Sequence, residues 1–109
     1  MQQLDVTQVA NFCARHGMPV LLDVREAWEV SLAAIRIDGA PAQHIPMGQI
    51  PTRLAEIDAT RQIICICHHG VRSAQVTTFL QYKGFESVYN LSGGIDAWSL
   101  AVDASVPRY

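Results

Sequence analysis

Cysteine, histidine and arginine stand close together in Cys65-Ile66-Cys67-His68-His69-Gly70-Val71-Arg72-Ser73. Four residues separate Cys67 from Arg72, and one of them is Gly70. The apolar run Ile63-Ile64-Cys65-Ile66 precedes the loop, and a helical pattern follows it. A strand ending on a cysteine, a tight turn and a helix start together make a place for an anion. The first N–H groups of a helix lack backbone partners and carry the positive end of its dipole. A thiolate is an anion and gains from both. Arg72 adds a permanent charge and a fork of donors. If the loop curls with its amides inward, they converge with Arg72 on the sulfur as a nest. Gly70 supplies the backbone freedom such a loop requires. The chemistry implied is nucleophilic, because a thiol stabilised as thiolate attacks at neutral pH without a separate base.

Blander readings stand beside this one. Cys65 falls on the same strand face as Cys67 and reads as core, with a resolving thiol as the other reading. Cys13 reads as a small buried hydrophobe. Cys65, Cys67, His68 and His69 have the softness that zinc or copper prefers. Their run is too contiguous to close a tetrahedron and no second ligand pair follows, so no metal is expected. His68 and His69 read as loop residues that either face the mouth or are solvated. Asp23 reads as a rim anchor accepting hydrogen bonds, with Arg25 as its partner or as a second substrate contact. Trp28 and Trp98 read as packing residues.

The elements that must position these groups follow from pattern. Val6 to Cys13 has helical spacing, with Thr7 as expected N-cap and Gly17 as terminator. Val20-Leu21-Leu22-Asp23-Val24 shows no alternation, as in a strand buried on both faces. Arg25 to Val30 reads as a short helix. His44 to Met47 reads as a short strand near an edge, and the Pro51 segment with Ile50, Leu54 and Ile57 as a helix. Ile63 to Cys67 is the central strand, and Arg72 to Lys83 a helix burying Val76, Phe79 and Leu80. Ser87 to Asn90 reads as a further strand, and Gly93-Gly94 turns into a last short helix with Trp98. Strands alternating with helices give an α/β fold, a central parallel β-sheet flanked by helices on both faces. In such sheets the site lies beyond the carboxyl ends of the strands, where Asp23 and Cys67 both fall.

Composition bounds the rest. A chain of 109 residues with 50% hydrophobic and 17% charged residues reads as one globular domain, 1–109. A net charge of -2 carries no basic footprint, so no nucleic acid partner is expected. No apolar run approaches the ~20 residues needed to span a membrane. Three cysteines without a scaffold pattern read as free thiols in a reducing cytoplasm.

Cys67-x4-Arg72-Ser73 after an apolar strand resembles the active-site loop of the rhodanese superfamily. Leu22-Asp23-Val24-Arg25-Glu26 is similar to that family's early strand end, and His44-Ile45-Pro46-Met47-Gly48 to its middle segment. Gly84-Phe85, Val88-Tyr89-Asn90-Leu91, Gly93-Gly94 and Trp98 resemble its closing strand and helix. Together they cover nearly the whole chain. The resemblance implies a rhodanese-like fold and a sulfurtransferase with no cofactor. Cys67 would take a sulfane sulfur from a small anion such as thiosulfate and hand it to cyanide, a thiol or a protein acceptor. The amides of His68, His69, Gly70, Val71, Arg72 and Ser73 would cradle the terminal sulfur, and Arg72 would close the loop and stabilise its charge. The chain departs from the family between Ile35 and Gln43, where Arg36 and Asp38 replace the usual His and Pro.

Loop length separates sulfur from phosphorus. Phosphatases and arsenate reductases of this fold resemble Cys-x5-Arg, with a wider ring of amides for a tetrahedral oxyanion. The count here is four. The other reading of function is a sulfur carrier fed by a partner, for which free thiosulfate is incidental.

Overall fold

A computed structural model describes residues 1–109. Five parallel strands make one sheet in the order β1-β5-β4-β2-β3. They are β1 (Gln3–Asp5), β2 (Val20–Asp23), β3 (Ala42–His44), β4 (Ile63–Ile66) and β5 (Val88–Ser92). Four helices join them: α1 (Val9–His16), α2 (Ala27–Leu32), α3 (Val71–Tyr82) and α4 (Gly94–Ala101).

The unalternating strands are explained by a core on each face. Leu21, Ile64, Ile66 and Leu91 pack with Val9 and Phe12 of α1 and Ile95 and Trp98 of α4. Val20, Leu22, Ile63, Cys65 and Val88 pack with Val76 and Leu80 of α3. Leu22 and Leu80 are fully buried, and truncating either to alanine would cost about 2–5 kcal/mol. Because Val76, Thr77 and Thr78 are poor helix formers, this burial is what holds α3.

The topology places the site. From β2 the chain turns outward to β3, whereas from β4 it turns the opposite way to β5. The adjacent carboxyl ends of β2 and β4 are therefore the switch point of the sheet, where parallel sheets open a crevice. Pairing in register continues past the strands, with Val24 N–H donating to Ile66 O at 3.0 Å. Asp23 and Cys67 thus arrive at the same rim.

Local expectations differ from the structure in four places. The N-terminal stretch supplies β1, an edge strand with only Leu4 buried, too short for any periodic signal. Asp5, not Thr7, caps the first turn: its carboxylate accepts from Thr7 N–H at 2.9 Å, and Gln8 Oε1 accepts from Asp5 N–H. The edge strand β3 ends at His44 rather than running on to Met47. The expected helix around Pro51 is a turn from Ile50 to Arg53 and a 3-10 turn, Leu54–Glu56. Pro51 removes an N–H from any helical ladder, and the core demands only Ile50 and Ile57, both buried. In the atypical stretch, Ile35 is buried and Gly39 turns the chain at φ +84°, while Arg36 and Asp38 are exposed.

Candidate active site

The loop after β4 is shaped by backbone contacts from two sides. Gly70 has φ +96°, in the left-handed region, and stands just before α3. A Cβ there would also lie 3.0 Å from Gly93 N and 3.3 Å from Leu91 O, so glycine is required by conformation and by space. On the other side, Ile95 and Asp96 in the first turn of α4 donate their N–H groups to Cys67 O at 3.0 Å and His68 O at 3.1 Å. A Cβ on Gly94 would sit 2.5 Å from both carbonyl oxygens. In a trans peptide the N–H points opposite the C=O. Binding both carbonyls to α4 therefore turns the following amides, those of His68 and His69, away from it and towards the open side of the loop.

Cys67 Sγ lies at the base of this loop, where the residue is 1% exposed. It accepts from Gly70 N–H at 3.1 Å, and Ser73 Oγ is 3.2 Å away. Ser73 has one proton for two acceptors, because its Oγ also bonds Asn90 Oδ1. The Asn90 amide is fixed from its other end, donating to Gln3 Oε1 at 2.9 Å and Gly70 O at 3.1 Å. A protonated Cys67 thus donates to Ser73, while a thiolate competes with Asn90 for the Ser73 proton. This makes Ser73 a partner for either form of the sulfur.

The charges form a chain through the carboxyl rim. Arg72 does not bond the Cys67 sulfur directly, as the sequence reading expected. Its two terminal nitrogens donate to Glu29 Oε1 at 2.6 Å and Oε2 at 2.8 Å, because a carboxylate as buried as Glu29 requires a bidentate partner. The Arg72 hydrogen bond holds the Glu29 carboxyl down to about 2 against the opposing effect of burial, with help from the Tyr109 hydroxyl. Glu29 in turn pushes the Arg72 guanidinium further towards its charged form. Arg25 is fully buried and pairs bidentately with Asp23, Nε to Oδ1 at 2.9 Å and Nη2 to Oδ2 at 2.7 Å. Nη2 also donates to Ala33 O at 2.7 Å, and Nη1 to Tyr109 Oη at 2.9 Å. Asp23 and Arg25 hold the rim together, and Arg25 offers no free face to a substrate.

The mouth is aromatic. His68 is stacked between His69, with centroids 3.9 Å apart, and Tyr109, 4.0 Å away and tilted by 7°. Burial, more than the neighbouring His69, pushes the His68 imidazole towards its neutral form. Trp28 stands edge-on to Tyr109 and is 62% exposed, and Val71 is 67% exposed at the start of α3. Trp98, by contrast, is core. His69 lies 3.9 Å from Asp96, which already pairs with Arg108 at 2.9 Å. His68, His69 and Asp96 offer ligand atoms within 4.8 Å of one another, a donor set suited to zinc. The near-parallel rings keep their nitrogen lone pairs in separate planes, so chelation would require a ring to turn.

Of the residues singled out from sequence, the structure brings Cys67, Gly70 and Ser73 together, sets Arg72 beside them on Glu29, and places His68 and His69 at the mouth. Val71 points outward. Sequence reasoning passed over Glu29, Asn90, Gly94 and Tyr109. Glu29 had a usable signal, since a buried carboxylate needs a cationic partner and Arg72, at the start of the helix after the cysteine loop, supplies one.

With this geometry in hand, similarity to known proteins places the chain. Residues 5–101 match the family model for the rhodanese-like domain. The chain is 36% identical over 80 residues to a sulfurtransferase of Allochromatium vinosum, covering 73% of this chain and 71% of that protein. It is 38% identical over 94 residues to the chloroplastic Rhodanese-like/PpiC domain-containing protein 12 of Arabidopsis thaliana, spanning 82% of this chain but only 30% of that longer protein. Its fold overlays a rhodanese-like domain protein of Staphylococcus aureus with a TM-score of 0.79 at 27% identity, covering 100% and 99% of the two chains. The chain belongs to the rhodanese family and is a transferase of the sulfurtransferase type. No helix is long and apolar enough to cross a membrane.

Proposed function

We propose that the chain moves sulfane sulfur as a persulfide on Cys67, with residues 1–109 acting as one unit in a reducing cytoplasm. The observation that carries this reading is the Cys67 sulfur at the base of a four-residue loop, bonded by Gly70 N–H and Ser73, with the Cys67 and His68 carbonyls held by α4. In the forward half, the thiolate attacks the outer sulfur of thiosulfate. A new S–S bond forms, and the old one breaks with its electron pair leaving on sulfite. In the second half, cyanide or a thiolate attacks the terminal sulfur of the persulfide, and the pair in the breaking S–S bond returns to Cys67. The first half leaves negative charge on the terminal sulfur and the second returns it to Cys67 Sγ, and the loop amides and the nearby Arg72 favour both.

The test is intact mass of the protein before thiosulfate, after it, and after cyanide, with Cys67 mapped by peptide. Gain of one sulfur on Cys67 and its release as thiocyanate is expected. Failure of any sulfane donor to load Cys67 would overturn the reading. A second reading is favoured by the exposed Trp28 and Val71 beside the mouth: a partner protein docks there and supplies or removes the sulfur. Loading by a protein persulfide with none from free thiosulfate would select it.

A further inference from the structure

The Tyr109 side chain lies at the meeting point of both charge pairs. Its hydroxyl donates to Glu29 Oε2 at 2.7 Å and accepts from Arg25 Nη1 at 2.9 Å. Its ring lies flat on His68, and the Arg25 guanidinium carbon is 5.7 Å from the ring centroid. The segment leading to it is tied down, with Val106 in the core and Arg108 on Asp96 at 2.9 Å. We propose that Tyr109 is a positioning residue of the thiol site, which joins the Asp23–Arg25 pair to the Glu29–Arg72 pair and so sets the charge that an incoming anion meets at Cys67.

The argument is one of charge sharing. Glu29 is nearly buried and both of its oxygens are claimed by Arg72. A second donor on Oε2 takes up part of the carboxylate's negative field. Arg25, itself paired with Asp23, polarises that donor and makes it stronger. Burial holds the phenol in its protonated form, so it remains a donor through the neutral range. Without the hydroxyl, Glu29 keeps more charge to set against Arg72, and the mouth is less attractive to an anion. Arg25 also loses an acceptor and the Glu29 end of α2 loses a tether. For natural substrates the inference rests on the sulfur-transfer reading, but the electrostatic effect applies to any anionic reagent.

The experiment therefore uses alkylation. Iodoacetate and iodoacetamide both react as the Cys67 thiolate attacks the CH2 carbon, forming an S–C bond and expelling iodide, and they differ in charge. The rate of each at Cys67 is followed by peptide mass. In Tyr109→Phe, which keeps the ring on His68, the iodoacetate-to-iodoacetamide rate ratio is expected to fall at least about threefold, and less at high salt. Tyr109→Ala is expected to lower it at least as far, so either folded variant decides. Arg72→Gln should lower the ratio further. A ratio in folded Tyr109→Phe equal to wild type overturns the proposal, as does an Arg72→Gln ratio equal to wild type. A uniform slowing of both reagents, the signature of a merely structural role, also overturns it. None of these outcomes depends on whether Cys67 carries sulfur.

Discussion

Cys65 and Cys67 lie two residues apart, the first inside β4 and the second just past its end; both face the same core and are about equally hidden from solvent. Their surroundings differ in kind. Cys65 sits inside β4 under α3, where burial pushes its thiol up to about 12, outweighing the opposing influence of the neighbouring Thr77. Cys67 sits one step beyond the strand, where the chain stops spending its N–H groups on the sheet. There a backbone amide and a hydroxyl reach the sulfur. The pair teaches that exposure does not tell the two cysteines apart. The release of backbone donors at the strand end does, and under the proposed function those donors are what make Cys67 the nucleophile.

The comparison can be broken most decisively by exchanging the two thiols' fates. Cys67→Ser is expected to abolish sulfur loading, while Cys65→Ala should retain it within about threefold. Loss of loading in a folded Cys65→Ala protein would show that the two sulfurs act as a pair. Next in size is Gly94→Ala, which leaves both thiols in place. A methyl group there meets the Cys67 and His68 carbonyls at a backbone φ of +61°. It should cost about 1–2 kcal/mol in denaturant unfolding from conformation alone and slow loading by about tenfold or more. A protein destabilised by that substitution but undiminished in rate would mean that α4 does not aim the loop. The smallest effect concerns the charged rim. Glu29 titrates at about 2 in the folded state against an ordinary 4.5, so the stability it contributes is full above about pH 4.5 and drains away as pH falls towards 2. Thermal midpoints should decline over that range in the wild type, and the decline should be shallower in Glu29→Gln. Parallel curves would remove Glu29 from the account of acid stability.

Much of this was legible in the chain. The sequence states its parallel sheet through strands without alternation and its candidate thiol loop through Cys67, Gly70 and Arg72 at fixed spacing, because both are local signals. What escaped was long-range. Arg72 finds Glu29 from 43 residues away, Tyr109 finds it from 80, and Asn90 finds Gln3 from 87. Such partnerships exist only once the sheet order is known. The Gly93-Gly94 pair read as a turn, and its second role as a seat for two carbonyls depends on α4 lying against the loop. The helix expected around Pro51 failed for the opposite reason: its apolar spacing was real, but two buried isoleucines can be supplied by turns as well as by a helix.

The edge strand β1 has a consequence beyond completing the sheet. Its Gln3 side-chain oxygen accepts from both Asn90 Nδ2 and Ser92 Oγ, and Asn90 is what occupies the Ser73 hydroxyl beside the sulfur. A strand of three residues at the margin of a sheet is among the first parts of a fold to fray. Each opening of β1 would leave the Asn90 amide tethered by Gly70 O alone and so loosen its claim on the Ser73 proton. The local opening equilibrium at the start of the chain is thereby written into the thiol's surroundings, and amide exchange at Leu4 would serve as a clock for how often they are reset.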